Sequence, residues 1–235
     1  MTQHTPALTA NRLLDHLPGE ELEFLRPHME QVHLSHGDSI IEPHVPIKDC
    51  YFPLNSLLSM VTTMEDGSSV ECGSIGREGM SGVPVLLDAG ETTMPTFVQV
   101  AGDAIRVKAA VVKKAYDRGG ELKKILNRYM HTIIIVSSQS TACNRIHRIE
   151  ERLARWLLMS SDGVGSDEVN ITHEYLAIML GVRRAGVSEA AAKLQEKDLI
   201  RYYRGNVLIS DRERLEACAC ECYHVVKAEY DRLFS

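Results

Sequence analysis

Two adjacent arginines, Arg183 and Arg184, carry the most specific chemistry in this 235-residue chain. They follow Gly181 closely and open a stretch with the amphipathic spacing of a helix. A guanidinium group at the start of a helix can donate paired hydrogen bonds to guanine O6 and N7, or it can bind a phosphate. The spacing therefore predicts a surface that contacts nucleic acid, with Arg184 reading a base and Arg183 reaching a phosphate.

The residues around this pair have the pattern of a helix-turn-helix. Thr172 is a suitable N-cap for a first helix over 174–180. Ala177, four residues before the turn glycine Gly181, lets the two helices approach closely, and a second helix is predicted over 183–196. Apolar residues occupy the positions where the helices should meet: Leu176, Leu180, Val182, Val187 and Ala190. The alternative is that the two helices pack together for structural reasons only.

A short hairpin is predicted after the second helix. The stretch "DLIRYYRGNVLISD", residues 198–211, reads as two strands around an Arg204-Gly205-Asn206 turn. A hairpin in this position indicates a winged DNA-binding domain, in which Glu189 could also accept a hydrogen bond from a cytosine amine. The predicted DNA contacts are Thr172, His173, Arg183, Arg184, Ser188, Glu189, Lys193, Tyr203 and Arg204.

The chain as a whole is acidic, with a formal net charge of −6. Basic charge is nevertheless concentrated near the predicted motif, because residues 183–204 hold six basic residues against three acidic ones. The preceding helical stretch adds Arg145, Arg148, Arg152 and Arg155 against two glutamates. We therefore expect a basic face that binds phosphates with a salt-dependent affinity.

The first half of the chain has a different pattern of apolar and polar residues. Short apolar or alternating runs between residues 31 and 107 are separated by turn signals, of which Asp66-Gly67 is the strongest. Several short strands at this spacing predict a β jelly roll within residues 1–120.

From residue 121 the apolar or small positions recur in alternating steps of four and three. This is the pattern of a helix that pairs with its own copy, and it predicts a dimerisation helix over 121–144. The alternative is an amphipathic helix that faces the core of a monomer. Ile134 and Ile135 flank the seam and are expected to pack on the β domain. The seam consists of Leu122, Leu126, Tyr129, Ile133, Val136 and Ser140, and it continues to Cys143.

Four segments resemble the Crp/Fnr superfamily of bacterial transcription regulators: "GREGMSG" at 76–82, the predicted dimerisation helix, "RIEERLARWLL" at 148–158 and "ITHEYLAIMLGVRRAGVSEAAAKLQEKDLI" at 171–200. The resemblance implies an α+β chain with an N-terminal cyclic-nucleotide-binding-type β jelly roll, a long dimerisation helix and a C-terminal winged helix-turn-helix over 145–235. It also implies a cytoplasmic homodimer on a palindromic operator of double-stranded DNA. RNA polymerase is a further partner that it allows, and no membrane is involved.

The chain departs from this family at the positions that bind a cyclic nucleotide. Where binding members hold the ribose with a glutamate and the phosphate with an arginine, this chain has Met80 and about Met94. Arg77 and Arg106 are nearby candidates for an effector pocket. Burying a phosphate without a cation is costly, so a cyclic nucleotide is not expected and no cofactor is evident. An apolar effector, or none, fits better.

The six cysteines are spread along the chain and, with no export signal, are expected to be reduced in a cytoplasm. The first is Cys50, so the N-terminal iron–sulfur cluster of the oxygen-sensing branch is not expected. The tail holds Cys218, Cys220, Cys222 and His224, and it reads as one continuous helix. One straight helix cannot direct four ligands to a tetrahedral metal, so packing is favoured and no metal site is predicted.

No enzyme signature is present, because the chain lacks G-x-S-x-G, H-E-x-x-H and a phosphate-binding glycine loop. His131 and His147 are expected at the surface or an interface rather than as haem ligands. Two further readings stay open. One is an effector-binding module whose helix-turn-helix serves protein contacts, and the other is a redox-responsive regulator that uses the tail cysteines.

Overall fold

A computed structural model describes residues 10–235, so the first nine residues of the predicted 1–120 domain lie outside the described part of the chain. A short helical segment enters the β domain through α1 (Arg12–Asp15), α2 (Gly19–Leu25) and a 3-10 turn (Arg26–His28). The buried Asn11 caps α1, because its side-chain oxygen accepts from the Leu14 amide at 3.3 Å. Its own amide donates to the carbonyls of Pro53 (2.9 Å) and Gly79 (3.0 Å), which fixes the segment on the β domain.

Antiparallel strands then form two sheets. The strands are β1 (Glu30–Leu34), β2 (Ser39–Ile41), β3 (Asp49–Pro53), β4 (Leu57–Thr63), β5 (Ser69–Ile75), β6 (Thr96–Val100) and β7 (Gly102–Lys108). One sheet has the order β1-β7-β3 and the other has the order β2-β6-β4-β5. The turn between β4 and β5 uses Gly67 at φ +82°, as the Asp66-Gly67 pair predicts. The two sheets confirm the predicted β roll.

Helices connect this roll to the C-terminal half: α3 (Val83–Leu86), α4 (Ala109–Asp117), α5 (Gly120–Ile146) and α6 (Ile149–Val164). With 27 residues, α5 starts one residue before the predicted helix and ends two residues after it. The Glu21 carboxylate accepts from the amides of Glu121 (2.8 Å) and Leu122 (2.7 Å) and so stabilises the positive end of the α5 dipole. Only two residues separate α5 from α6. No described helix is both long enough and apolar enough to span a bilayer.

The C-terminal half contains β8 (Glu168–Asn170), α7 (His173–Leu180), α8 (Arg184–Glu196), β9 (Ile200–Tyr203), β10 (Asn206–Ile209), α9 (Arg212–Cys218) and α10 (Cys222–Leu233). The prediction of one continuous tail helix is wrong, because Ala219, Cys220 and Glu221 separate α9 from α10. The break has a packing cause. Leu215 is buried in the core of the C-terminal half, whereas Leu233 is buried with the β domain and α5, and one straight helix would not serve both.

An apolar cluster joins the β domain to the C-terminal half. Leu57 and Val61 of β4 belong to the same buried cluster as Leu153 and Trp156 of α6. The backbones meet just after β5, where the Arg77 amide donates to the Gly163 carbonyl at 2.9 Å. The two halves are therefore packed directly on each other.

A half-buried glutamate lies within this contact. Glu71 accepts from the Trp156 indole at 3.0 Å and from the Ser59 hydroxyl at 2.6 Å. Burial raises the pKa of Glu71, although both hydrogen bonds act in the opposite direction. The carboxyl group is a polar link between the β domain and α6.

Candidate nucleic-acid interface

The first helix of the motif, α7, has the predicted cap and turn. Thr172 Oγ1 accepts from the Tyr175 amide at 3.3 Å, which confirms the N-cap. Gly181 ends the helix in the left-handed region at φ +59°, where a glycine is favoured. A Cβ at Gly181 would also lie 3.2 Å from Val70 Cγ2 of β5, so the turn packs closely on the β domain.

The second helix, α8, begins at Arg184, and Arg183 is its N-cap residue. The Arg183 side chain makes no capping hydrogen bond, and both arginines are exposed. The N-terminus of a helix carries partial positive charge, which adds to the attraction of these arginines for a phosphate. One face of α8 is buried, and its members are Val187, Ala190, Ala191 and Leu194. Glu189 and Lys193 are exposed, as expected for a face that meets a ligand.

Two of the predicted DNA contacts bind each other. The Ser188 hydroxyl donates to the Arg184 carbonyl at 3.1 Å, and His173 Nδ1 lies 3.0 Å from the same hydroxyl oxygen. The His173 ring also lies 4.2 Å from the Tyr202 ring, between centroids. Burial lowers the pKa of His173, and the charge of Arg184 acts in the same direction, which favours a neutral imidazole. His173 and Ser188 are half-buried and orient α7, α8 and the wing relative to one another.

The wing has a tighter turn than the one predicted. Arg204 (φ +47°) and Gly205 (φ +83°) form a two-residue turn, and Asn206 already begins β10. Arg204 is exposed at the tip. Tyr203 is exposed beside it, and its hydroxyl donates to Glu168 Oε1 of β8 at 2.7 Å. The wing therefore presents one exposed cation at its tip.

The charge near α8 differs from the predicted distribution. Arg152 and Arg155 are buried, so the prediction that all four arginines of residues 145–155 add to an exposed basic face is wrong. The reason is that α6 packs on several sides, against β4, α7, α8, α9 and α10. Lys193 and Lys197 are exposed but lie 3.8 Å and 2.5 Å from the carboxylate of Glu150. The hydrogen bond from Lys197 lowers the pKa of that carboxyl group.

Residues 151–218 match the family profile described as the Crp-like helix-turn-helix domain. The whole fold is similar to that of FixK2 from Bradyrhizobium japonicum, with 13% identity and a TM-score of 0.67 over 82% of this chain and 98% of that chain. It is also similar to a transcriptional regulator of the CRP family from Thermus thermophilus, with 19% identity and a TM-score of 0.63 over 81% and 99% of the two chains. Residues 151–218 therefore form a Crp-like helix-turn-helix domain, and the chain as a whole has the fold of these regulators.

A third similar structure is CLP from Xanthomonas campestris, described as a c-di-GMP-responsive global regulator. It shares 12% identity and a TM-score of 0.60 over 83% of this chain and 100% of that chain. A search of curated proteins by sequence found no match. The Crp-like helix-turn-helix domain indicates a DNA-binding transcription regulator.

The predicted seam of α5 is covered by other parts of the same chain. Leu122, Leu126, Tyr129 and Val136 are buried, and the Tyr129 hydroxyl donates to the Met80 carbonyl at 3.1 Å. Ile133 and Ser140, the other two seam residues, are half-buried. These side chains face the β domain, α6 and α10 of their own chain. Ile134, which was expected to pack on the β domain, is instead 63% exposed, and that expectation is wrong.

The four predicted effector residues lie in different surroundings. Met80 is buried in the cluster that contains α1, α4 and α5, whereas Met94 packs on the interior of the roll. Arg106 Nη2 donates to Glu30 Oε2 at 2.7 Å on an exposed strand pair. Arg77 lines a cavity of about 100 Å³ at the junction with α6 and α10, together with Glu78 and Asp162. The four do not converge on a single pocket.

Four potential metal ligands do converge, at the other end of α5. Cys143, His147, Cys220 and Cys222 each direct one ligand atom to a region in which all these atoms lie within 4.8 Å of one another. Cys143 Sγ is 3.5 Å from Cys220 Sγ, and Cys222 Sγ is 3.5 Å from His147 Nδ1. On one continuous helix Cys220 would lie on a different face from Cys218 and Cys222, but the break before α10 turns it towards Cys143.

The surroundings of this cysteine–histidine cluster are polar and cationic. His147 Nε2 lies 3.1 Å from Glu221 Oε2, and the Gln139 amide donates to Cys222 Sγ at 3.1 Å. A hydrogen bond from the Cys220 thiol lowers the pKa of Cys143, and the charge of Arg155 acts in the same direction. The sequence signal for the cluster is Cys-x3-His at the end of α5, which puts two ligands one helical turn apart, combined with Cys-x-Cys in the tail.

Proposed function

We propose that this regulator acts as a homodimer that inserts α8 into the major groove of a palindromic operator. In this proposal residues 1–120 form a sensor domain, 121–144 a dimerisation helix and 145–235 the winged DNA-binding domain. RNA polymerase stays a predicted partner and a cytoplasmic location stays a prediction. The observation that carries the proposal is the exposed Arg184 in the first turn of α8, with its backbone held by Ser188 and the rest of the helix by a buried apolar face.

Each exposed group has a role that its chemistry supports. Arg184 would donate two hydrogen bonds to a guanine, and Glu189 would accept from a cytosine amine. Arg183, Thr172 and the wing tip Arg204 would contact phosphates, which orient the domain without reading sequence. Lys193 and Tyr203, which already contact Glu150 and Glu168, would add phosphate contacts at the edge of the interface. His173 and Ser188 would act chiefly by positioning α8.

Selection of bound fragments from genomic DNA tests the base-reading role. We expect a two-fold symmetric consensus for the wild type. The variant Arg184→Ala should lose about 1–3 kcal/mol on that site and relax the preference at one base pair. Arg204→Ala should weaken all sequences alike and make binding less salt-dependent. Arg232→Ala, an exposed arginine on α10, is the matched control and should change neither. The absence of a consensus, with unchanged binding by Arg184→Ala, would contradict the proposal.

The dimer contact is proposed on the α5 face that the chain leaves uncovered. Met130, Ile134, Ser137 and Thr141 recur in steps of four and three, each one residue after a member of the predicted seam. A shift of one residue turns the face by about 100° around the helix. Ile134 and Thr141 are exposed and Met130 and Ser137 are half-buried, so this stripe is accessible to a second copy.

Light scattering after size exclusion tests this contact. We expect a dimer for the wild type and a monomer for Ile134→Glu, because a second copy would bury that charge in the seam. Leu87→Glu is a matched control, since Leu87 is 62% exposed and lies at the end of α3 rather than on α5. A dimer that survives Ile134→Glu would refute this face, and a monomeric wild type would refute the homodimer itself.

A further inference from the structure

The cysteine–histidine cluster is built from parts of the chain that are far apart in sequence. Cys143 lies in the last turn of α5, His147 follows that helix, and Cys220 and Cys222 lie at the break between α9 and α10. The cluster thereby joins the end of α5, the connection between α5 and α6, and the tail. The three sulfurs are buried and form an apolar cluster of their own.

The distances within the cluster fit one tetrahedral ion. Zinc binds thiolate sulfur at about 2.3 Å and imidazole nitrogen at about 2.0–2.1 Å, so neighbouring ligand atoms are about 3.6–3.8 Å apart. The observed sulfur–sulfur and sulfur–nitrogen separations of 3.5 Å are close to these values, and the largest separation is 4.8 Å or less. Three sulfurs and one imidazole are the ligand set Cys3His, which is typical of closed structural zinc sites.

The groups around the ligands have the arrangement that metal sites use. Glu221 lies beside Nε2 of His147, which directs that proton to the carboxylate and leaves the Nδ1 lone pair facing the sulfurs. Carboxylate–histidine–metal triads of this kind orient the ring and increase its basicity. Gln139 donates to Cys222 Sγ, as a hydrogen bond to a metal-bound thiolate would require.

Two buried arginines, Arg152 and Arg155, place positive charge beside the cysteine–histidine cluster. Arg152 donates to Asn144 Oδ1 and to the Leu180 carbonyl, and Arg155 donates to Ser140 Oγ, so these acceptors are all neutral. The Nε atom of each arginine is buried without a partner among residues 10–235. Burying cations whose hydrogen-bond partners are neutral is costly. Arg155 has the Glu71 carboxylate nearby, which offsets part of this cost. Three thiolates, a neutral imidazole and Zn²⁺ carry a net charge of −1, which would compensate part of this positive charge.

We infer that Cys143, His147, Cys220 and Cys222 bind one Zn²⁺ per chain, as a closed structural site that fixes the C-terminal half to the end of α5. Binding forms three zinc–sulfur bonds and one zinc–nitrogen bond and releases the thiol protons to solvent. With four protein ligands the ion has no open position, so it has no catalytic role. The site reaches the helix-turn-helix through Arg152, which contacts the carbonyl of the last α7 residue, Leu180, just before the Gly181 turn.

Metal analysis of the reduced full-length protein tests the site directly. We expect one zinc per chain in the wild type and in Cys218→Ser, which is the matched control because Cys218 lies in the same tail but outside the cluster. Cys143→Ser and Cys220→Ser should contain no zinc. Glu221→Gln should keep the ion with an affinity roughly 10–100-fold lower in chelator competition.

A cobalt titration of the metal-stripped wild type keeps the test decisive where a serine variant does not fold. We expect one equivalent of Co²⁺ to give the intense visible bands of a tetrahedral thiolate-ligated ion, and Zn²⁺ to abolish them. A folded, reduced wild type that binds neither ion would overturn the inference. So would zinc loss in Cys218→Ser equal to that in Cys220→Ser, or a Cys143–Cys220 disulfide recovered from protein that never held metal.

Discussion

Replacing Gly76 with alanine would place a Cβ 2.4 Å from Gly163 Cα and 2.8 Å from the Gly163 carbonyl oxygen. The obstacle is the backbone of α6, which cannot rotate away as a side chain can. The β domain and α6 must therefore separate, and the hydrogen bond from the Arg77 amide to Gly163 must lengthen from 2.9 Å. Overpacking costs about 1–3 kcal/mol and a lost hydrogen bond about 1 kcal/mol, so we expect the free energy of unfolding to fall by about 2–4 kcal/mol.

Alanine substitutions at two other glycines should destabilise the protein by smaller amounts. A Cβ at Gly163 would lie 2.9 Å from Leu57 Cδ1, the far end of a flexible side chain, so Gly163→Ala should cost less. A Cβ at Gly19 would meet nothing within 4 Å, and Gly19→Ala should leave stability unchanged or raise it by up to about 1 kcal/mol. The expected order of destabilisation is Gly76, then Gly163, then Gly19.

Urea denaturation followed by tryptophan fluorescence measures these differences. Trp156 is the only tryptophan of the chain, and it is 5% exposed on α6 at this contact. For a chain of this size 1 kcal/mol shifts the thermal midpoint by about 2–4 °C, so Gly76→Ala should melt about 4–16 °C lower than the wild type. Equal stability of Gly76→Ala and Gly19→Ala would refute the close approach of the two backbones.

Two further predictions concern charged groups. Burial raises the pKa of Glu71 above its unfolded value of about 4.3, so the native state keeps this proton longer and stability should fall as pH rises above that value. Glu71→Gln should flatten this fall in urea titrations at several pH values, whereas the exposed control Glu196→Gln should not, and equal slopes would refute the reasoning. Arg212 binds Asp162 and several other acceptors through its guanidinium group. Arg212→Lys keeps the charge but loses that geometry, so it should cost about 1.5–3 kcal/mol in the same assay. If the free energy of unfolding falls no more than in the exposed control Arg214→Lys, the planar guanidinium geometry of Arg212 is unimportant for stability.

The helix-turn-helix could be predicted because its constraints are local. A cap at Thr172 and a left-handed turn at Gly181 are decided by a few neighbouring residues, and the structure has both. The turn of the wing was predicted one residue too long. Arg204 itself adopts a positive φ, and a sequence pattern gives little warning of that for an arginine.

Long-range packing accounts for most of the differences between the sequence predictions and the structure. A heptad pattern shows that α5 has an apolar seam, but it does not show which element covers it. Here the β domain and α10 cover Leu126 and Tyr129, so the accessible stripe is displaced by one residue. The sequence predicts Arg152 and Arg155 as surface charges, because their burial depends on elements far away in sequence. The cluster at Cys143 was hidden for the same reason, since the tail break that completes it follows from the separate burial of Leu215 and Leu233.

Because α5 is long, a small tilt at one end produces a large displacement at the other. At 1.5 Å per residue its 27 residues span about 40 Å. A tilt of about 10° at the β-domain end would move the far end by about 7 Å. In the proposed dimer the two recognition helices would have to be about 34–36 Å apart on one face of DNA, so a displacement of this size would take them out of register with successive grooves. On that proposal, small rearrangements where α5 meets the β domain would be amplified at the DNA, and the stiffness of the connection between α5 and α6 at residue 147 would set how much of the movement reaches α8.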